Sequence, residues 1–420
     1  MKYGLIAQKL SHSFSKEIHG KLFDYEYQLC ELAPEDVARF MEQREFAAIN
    51  VTLPYKETVI PYLDEISDTA RSIGAVNTVV NRSGKLYGDN TDFSGMVALI
   101  NRAGIILKDK KVLVLGSGGT SKTAKAVANH LGCGEVYRVS RTGREGCITY
   151  EAARKDHNDA QILINTTPSG MYPNIDASPV EITDYPALEG VVDAVYNPLR
   201  SKLVCDALEK GIAAVGGLYM LVAQAAYAAE KFVNQEVAQE KIQEIYRQMM
   251  AQKENIVLIG MPGCGKSTVG KALAQALGAE FIDTDEEIVR QDGRTIPQIF
   301  AQEGEQRFRD LETAAIRQVA ARQHAVISTG GGAILRKENM RLLRQNGRIY
   351  FIDRPLEDLE STPDRPLSCN RQELERRYRE RYDIYLASCD KHIPSDSVAA
   401  HVVQRIKEDF EDENFGDQRT

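Results

Sequence analysis

The chain has 420 residues, a length that at about 100–200 residues per domain predicts two to four domains. Apolar residues make up 43% and charged residues 27%, ordinary values for a globular chain, which excludes a disordered or fibrous protein. The 52 Lys and Arg against 60 Asp and Glu leave a net charge of −8 with no dominant basic tract, so a nucleic-acid or membrane-surface binder is not expected. No apolar run approaches the roughly 18 residues of a membrane span. Met1-Lys2-Tyr3-Gly4-Leu5 does not open like a secretory leader. The 7 cysteines are scattered without a Cys-x-x-Cys pair, which predicts reduced thiols in a cytoplasm rather than disulfides or a zinc site.

In chain order, Asn50-Val-Thr52-Leu-Pro-Tyr-Lys56 and Gly88-Asp-Asn-Thr-Asp92 each place polar residues at a turn after a short strand. A lysine and an aspartate held together can exchange a proton with a substrate hydroxyl or ketone. Taken singly, Lys56 reads as a solvated lysine and Asp92 as a helix cap. Next, Lys111-Val-Leu-Val-Leu-Gly116-Ser-Gly118-Gly119 predicts a buried strand entering a helix N-terminus through a glycine turn, the arrangement that takes a dinucleotide pyrophosphate. A second strand, Glu135 to Ser140, ends in Arg141-Thr142, with Arg144 nearby. Arginine stands where an NAD enzyme would carry an acidic residue, which predicts a 2′-phosphate and hence NADP. Residues 101–150 hold nine Lys and Arg against three Asp and Glu, in keeping with a phosphate-bearing ligand. From Ala223 to Gln252 there is no Gly or Pro, and the Ala, Glu, Gln and Lys content predicts one helix ending near Lys253, where the domain boundary is placed.

The second half opens with another strand, Asn255-Ile-Val-Leu-Ile, running into Gly260-Met-Pro-Gly263-Cys264-Gly265-Lys266-Ser267-Thr268. This is a phosphate-binding loop: backbone N–H groups curl around a phosphate, Lys266 reaches the β/γ-phosphates, and the Ser267 hydroxyl serves Mg²⁺. Asp283 and Asp285 lie two apart at a strand end and would point the same way, one toward Mg²⁺ and one toward a substrate hydroxyl; either could also cap the following helix. Arg309, within Gly304-Glu-Gln-Arg-Phe-Arg309, offers a guanidinium for a small carboxylate. Gly330-Gly331-Gly332 ends a further strand, Arg365-Pro-Leu reads as a polar flap, and Arg377 to Tyr385 as a basic-aromatic helix whose ordinary reading is arginines in solvent.

Two resemblances gather these motifs. Residues 254–410 resemble the shikimate kinase family through the phosphate loop, Asp-x-Asp, Gly-Glu-x-x-Phe-Arg, Gly-Gly-Gly, Arg-Pro-Leu and Arg-Tyr-x-x-Tyr, in that order. The resemblance implies that Asp285, Arg309, Gly331 and Arg381 hold shikimate, that Asp283 and Ser267 serve Mg²⁺, and that Arg365 reaches the nucleotide. The stretch from Arg354 to Arg365 is acidic and lacks the further basic residue usual in that family. Residues 1–250 resemble the shikimate dehydrogenase family through Ser11-His-Ser13-Phe-Ser15…His19, the Asn50 and Gly88 motifs, Gly74-Ala-Val-Asn77, the Gly116 loop, Ser140-Arg-Thr, Asn165-Thr-Thr-Pro-Ser-Gly-Met, Asp193-x-x-Tyr196-x-Pro198 and Gly217 to Gln224. By this resemblance Ser13, Ser15, Thr52, Asn77, Tyr196 and Gln224 hold the ring acid, Lys56 and Asp92 are the acid/base pair, and Gly116, Gly118, Gly119, Ser140, Arg141, Thr142, Arg144 and Gly217 serve NADP. Capping for the serines, and a solvated face for Gln224, are the ordinary alternatives.

The expected architecture is α/β. Residues 1–97 and 213–250 form a substrate-binding part, 98–212 a Rossmann part, 251–254 a linker and 255–410 a P-loop kinase, with a polar tail over 411–420. The resemblances imply a bifunctional enzyme using NADP(H), ATP and Mg²⁺ on small molecules, with oligomeric state open. The alternatives are a quinate/shikimate dehydrogenase joined to another small-molecule kinase, and a non-catalytic binding protein resembling fungal quinate repressors. Lys56, Asp92, Lys266, Ser267 and Asp285 argue against the second.

Overall fold

A computed structural model describes residues 1–10, 14–359, 371–395 and 398–411. Ser11, His12, Ser13, Arg365 and the Arg-Pro-Leu segment lie outside the described residues. The chain forms two compact units, one from Met1 to Gln248 and one beginning at Met249.

The first unit contains two sheets. The first has β1 (Tyr3–Ala7), β2 (Tyr27–Glu31), β3 (Ala48–Val51), β4 (Glu65–Ile66), β5 (Thr78–Arg82) and β6 (Lys85–Asp89), in the order β2-β1-β3-β5-β6-β4. β1 runs parallel to β2 and β3, while β5 lies antiparallel to both β3 and β6. That reversal brings the turn after β3 and the turn after β6 to the same sheet edge.

The second sheet has β7 (Lys111–Leu115), β8 (Glu135–Ser140), β9 (Cys147–Thr149), β10 (Ile162–Asn165), β11 (Gly190–Asp193) and β12 (Ala213–Val215). Its order is β12-β11-β10-β7-β8-β9 and every pairing is parallel, the doubly wound Rossmann arrangement. Strands such as Val112–Leu115 and Ile162–Asn165 are fully buried because helices cover both faces of a parallel sheet, hence their unbroken apolar reading.

Helix Thr91–Arg102 packs on helix Leu218–Val233. Their approach depends on Gly95: a Cβ there would lie 2.9 Å from the Met220 carbonyl oxygen and 2.9 Å from the Gln224 Cβ. The expected single helix over 223–252 is broken. Helix Leu218–Val233 ends at Asn234, whose φ of 53° is left-handed, and the Glu230 carboxylate takes the Val237 N–H at 3.0 Å. A second helix, Gln239–Ala251, follows, and its Gln239 and Gln243 amides donate to the Tyr219 hydroxyl at 2.6 and 3.2 Å. Helix propensity ran through all these positions, but tertiary bonds to Tyr219 reward a turn back.

The second unit is built on β13 (Asn255–Ile259), β14 (Glu280–Asp283), β15 (Ala325–Ser328), β16 (Gly347–Asp353) and β17 (Lys391–Pro394), all parallel, in the order β14-β15-β13-β16-β17. The segment expected as a linker is partly absorbed. Ala251 closes a helix, Lys253 and Glu254 are buried, and the Glu254 carboxylate accepts from Arg348 Nη2 at 3.0 Å.

Candidate active sites

Lys56 stands on the turn that follows β3, fastened by its carbonyl oxygen, which accepts the Val76 N–H at 2.8 Å. Asp92 is the second residue of helix Thr91–Arg102. Asn90, not Asp92, is the cap, its Oδ1 accepting from the Phe93 N–H at 3.3 Å. The start of a helix favours a negative carboxylate. Lys56 Nζ lies 2.5 Å from Asp92 Oδ2, with the two side chains 15% and 12% exposed. The solvated-lysine and helix-cap readings therefore both give way to a shielded ion pair, formed across 36 residues of sequence.

The Asn77 side chain is adjacent but faces inward: its Oδ1 accepts the Thr91 N–H at 2.7 Å and its Nδ2 donates to Thr91 Oγ1 at 3.1 Å. Thr52 sits on the Lys56 turn, its N–H on the Ile6 carbonyl at 3.1 Å. Gln224 packs against Gly95, one turn along from Asp92, and is half-buried with Nε2 on the Leu221 carbonyl at 2.9 Å, so the solvated-face alternative fails. Ser15 opens helix Ser15–Leu22 with Phe14 in the cap position and no side-chain cap, so it is not a capping serine. Tyr196 meets the Phe14 ring edge-on at 5.9 Å, and burial raises its phenol pKa above the usual value.

At the carboxyl ends of the parallel strands, β7 passes through Gly116 into helix Gly119–His130, with Gly118 in the cap position. Cβ atoms at Gly118 or Gly119 would meet nothing within 4 Å, so this turn leaves room for a pyrophosphate against the helix N-terminus. The Ser140 hydroxyl accepts the Gly143 N–H at 3.1 Å, folding the turn after β8 so that Arg141, Thr142 and Arg144 are exposed beside that opening. These residues fit NADP. Gly217 precedes helix Leu218–Val233 so tightly that a Cβ would lie 2.3 Å from the Ala194 carbonyl oxygen. Asp193, quoted in a motif but given no role by its sequence, is buried and accepts from Asn165 Nδ2 at 2.9 Å, the Val195 N–H at 2.9 Å and Ser201 Oγ at 2.5 Å. It stitches together the loops after β10 and β11; burial pushes its pKa up to about 7.

In the second unit, a cavity of about 380 Å³ is lined by Lys266, Asp283, Asp285, Arg309, Glu312 and Gly331 among others. Gly263 and Gly265 hold φ of 85° and 96°, the left-handed values that let a phosphate loop present its N–H groups. Lys266 Nζ donates to the Gly260 and Met261 carbonyls at 2.9 and 3.0 Å and lies 3.7 Å from the buried Cys264 Sγ. Ser267 Oγ donates to Asp283 Oδ2 at 2.9 Å, a hydroxyl–carboxylate pair suited to Mg²⁺, and Thr268 also lines the cavity. Asp283 and Asp285 are not two residues of one strand. β14 ends at Asp283, which caps helix Thr284–Asp292 by taking the Asp285 N–H at 3.0 Å, and Asp285 lies in its first turn.

Arg309 is buried, its guanidinium divided between Glu312 Oε2 at 2.9 Å and Glu305 Oε1 at 3.0 Å. Arg381 Nη1 and the Tyr385 hydroxyl both donate to the Gly331 carbonyl, at 3.0 and 2.5 Å. Arg377 and Arg381 are buried, so the solvated-helix reading of this segment fails on the face that carries them.

Glu312 is the residue that sequence reasoning missed. A carboxylate three residues after Arg309 was the available signal, since that spacing puts both on one helix face. Its Oε1 is buried and has no hydrogen-bond partner among the described residues, and burial raises its pKa to about 6 despite Arg309. A Cβ at Gly330 would lie 2.6 Å from Asp285 Oδ1 and 3.0 Å from Glu312 Oε1, so the two carboxylates converge. Because this folded-state pKa is raised, the proton goes on as pH falls through about 6, and Arg309 then loses its buried counter-charge. We expect kcat/KM for the phosphoryl acceptor to fall about tenfold from pH 7 to pH 5. The limb should vanish in Glu312→Gln, which a pH series on both proteins checks.

The first unit is thus a dinucleotide-dependent oxidoreductase and the second a P-loop phosphotransferase. The shikimate dehydrogenase substrate binding domain model matches residues 5–79, and the shikimate kinase model matches residues 262–411. The NADP(+) shikimate dehydrogenase of Clostridium beijerinckii is 39% identical over 248 residues, covering 54% of this chain and 90% of that protein. Among solved structures, a chorismate mutase/shikimate 5-dehydrogenase fusion from Clostridium acetobutylicum aligns with TM-score 0.56 and 32% identity, over 59% of this chain and 96% of the other. The Thermus thermophilus shikimate 5-dehydrogenase in complex with NADP(H) and shikimate aligns with TM-score 0.53 and 29% identity, over 59% and 99%. The chain belongs to the shikimate dehydrogenase family and carries, after that unit, a shikimate kinase domain. No helix among the described residues is long and apolar enough to cross a membrane.

Proposed function

We propose that this chain carries two successive reactions: NADPH-dependent reduction of 3-dehydroshikimate to shikimate, then ATP- and Mg²⁺-dependent phosphorylation of the 3-hydroxyl just made. The setting would be cytoplasmic aromatic (chorismate) biosynthesis. Residues 1–97 with 213–250 would bind the ring acid, 98–212 NADP(H), and 255–410 ATP and shikimate. The observation that carries the reading is the shielded Lys56–Asp92 pair in the same chain as a phosphate loop whose cavity combines Asp285 with buried arginines.

In the first reaction the bound dinucleotide supplies the hydride. Lys56 gives its proton to the ketone oxygen as that oxygen gains charge, and Asp92, 2.5 Å away, keeps the ammonium form in place before transfer. Thr52, Asn77, Tyr196 and Gln224, with Ser13 and Ser15, would hold the ring's hydroxyls and carboxylate. Gly217 would leave room for the nicotinamide. In the second reaction ATP supplies the phosphoryl group and Mg²⁺ its charge neutralisation, with Ser267 and Asp283 holding the ion. Asp285 takes the proton of the attacking hydroxyl. Arg309 and Arg381 grip the substrate carboxylate, and Lys266 turns from the loop carbonyls to the phosphates, with Arg365 reaching the nucleotide as well.

Supplying dehydroshikimate, NADPH, ATP and Mg²⁺ to one preparation should yield shikimate 3-phosphate, with one NADPH and one ATP consumed per product. Accumulation of shikimate without phosphate would remove the second half of the reading. Arg141→Ala should raise KM for NADPH about 10–100-fold while leaving KM for NADH little changed, the size expected for charge-assisted bonds to a 2′-phosphate. Initial rates with the two dinucleotides read this directly.

A further inference from the structure

Helix Arg371–Ser388 buries Leu374, Arg377, Arg381, Tyr385 and Ser388, at steps of three and four that trace one helix face. Arg381 and Tyr385 on that face both donate to the Gly331 carbonyl. Arg377, one turn before Arg381, has no such bond. It is 8% exposed and lines the same cavity as Arg381 and Arg309, yet its Nε is buried with no hydrogen-bond partner among the described residues. Its ion-pair contact, Glu373 Oε2 at 3.8 Å, is beyond hydrogen-bond reach, and that same oxygen takes Arg376 Nη2 at 2.8 Å. Burial, and then the charge of Arg381, lower the pKa of Arg377 from the usual arginine value, but a guanidinium stays charged at neutral pH.

The charges around it point to what it awaits. Apart from the phosphate loop and the Ser267–Asp283 pair, the charged residues lining the cavity are Arg309, Arg377 and Arg381 against Asp285 and Glu312. Glu312 Oε2 is already taken by Arg309 Nη1 at 2.9 Å. This end of the cavity is therefore one negative charge short, the charge of a single carboxylate. An ionised carboxylate has about four acceptor positions, enough for three guanidiniums.

A buried guanidinium is costly to desolvate unless a partner repays it, and an apolar side chain would cover this helix face without that cost. Stability alone therefore does not call for an arginine at 377. We propose that Arg377 is a third arginine on the carboxylate of the phosphoryl acceptor, beside Arg309 and Arg381, and that it sets the preference of this site for an acid over its neutral analogue. This rests on the reading in which Arg309 and Arg381 grip the substrate carboxylate.

The test uses three variants of the full-length chain, Arg377→Met, Arg377→Lys and Arg381→Met, each with shikimate and with its neutral carboxamide as acceptor. Arg377→Met should lower kcat/KM for shikimate about 10–100-fold, the scale of one charge-assisted hydrogen bond, and raise the Kd of shikimate by a similar factor in calorimetry. The value for the carboxamide should stay within about threefold and KM for ATP within about twofold, since neither depends on that bond. The ligand-free melting temperature should hold or rise, because a buried charge without a bond at Nε has been removed; a structural ion pair would instead lower it. Arg377→Lys keeps the charge but loses the planar fork, so it should regain only part of the acid preference. A folded Arg377→Met with the parental acid-to-carboxamide ratio overturns the proposal when Arg381→Met loses that ratio. A loss that falls equally on both acceptors, or on KM for ATP, overturns it too. Where Arg377→Met does not fold, a parental ratio in Arg377→Lys overturns it instead. Should Arg381→Met also keep the parental ratio, the carboxylate reading itself fails.

Discussion

Replacing Lys56 by Ala should lower dehydroshikimate reduction by about 10²–10⁴-fold, the usual worth of a positioned proton donor, and leave shikimate phosphorylation at the parental rate. The loss should fall on kcat, because the ammonium matters most as charge grows on the ketone oxygen. The Lys56 side chain is only 15% exposed and its partner Asp92 only 12%, so the pair is largely shielded from bulk water. Removing the lysine leaves Asp92 a shielded carboxylate without its counter-charge, which costs local stability as well. NADPH oxidation at 340 nm, with a separate coupled assay for ADP on the same sample, reads both activities. A protein in which both fell together while the fold held would contradict two independent sites.

Lys266→Ala should do the reverse. Phosphorylation should fall by at least about 10²–10³-fold, the scale for losing one preorganised charge at a transferring phosphoryl group, and reduction should continue unchanged. Lys266 is 8% exposed and its ammonium is held by two carbonyls of its own loop, so the substitution also leaves the Gly260 and Met261 carbonyls without that donor. Nucleotide affinity and kcat should therefore both drop. Titration of ATP by calorimetry separates the two effects, and an unaltered phosphorylation rate would exclude Lys266 from the chemistry. The two substitutions together form a crossed pair in which each retained activity confines the loss to the substituted unit, whose fold a thermal melt of each variant checks.

Several features were legible from residues alone because their physics is local. A parallel strand buried on both faces reads as an unbroken apolar run, and a glycine turn before a helix reads as an anion cradle. That is why the elements at Lys111–Leu115 and Asn255–Ile259 and the helices after them were expected where they stand. Arg141 at the end of β8 was legible for the same reason: its place is set by strand and turn, not by distant contacts.

Other features waited on three-dimensional packing. Nothing local to Lys56 or Asp92 distinguishes them from a solvated lysine and a capping aspartate; only the antiparallel reversal at β5 puts their turns on one edge. Helix propensity runs unbroken through Asn234, and bonds to Tyr219 override it. Arg377 and Arg381 lie in a charge run that propensity assigns to solvent, yet both are buried along the cavity, Arg381 against the Gly331 carbonyl. Glu312 is an ordinary helical glutamate until the fold closes over it. Sequence by itself determined the α/β class and the two glycine cradles and pointed to NADP, because a backbone turn and one arginine are short-range objects. Tertiary structure alone decided which charges are shielded from water and paired, because burial and distance belong to the whole chain.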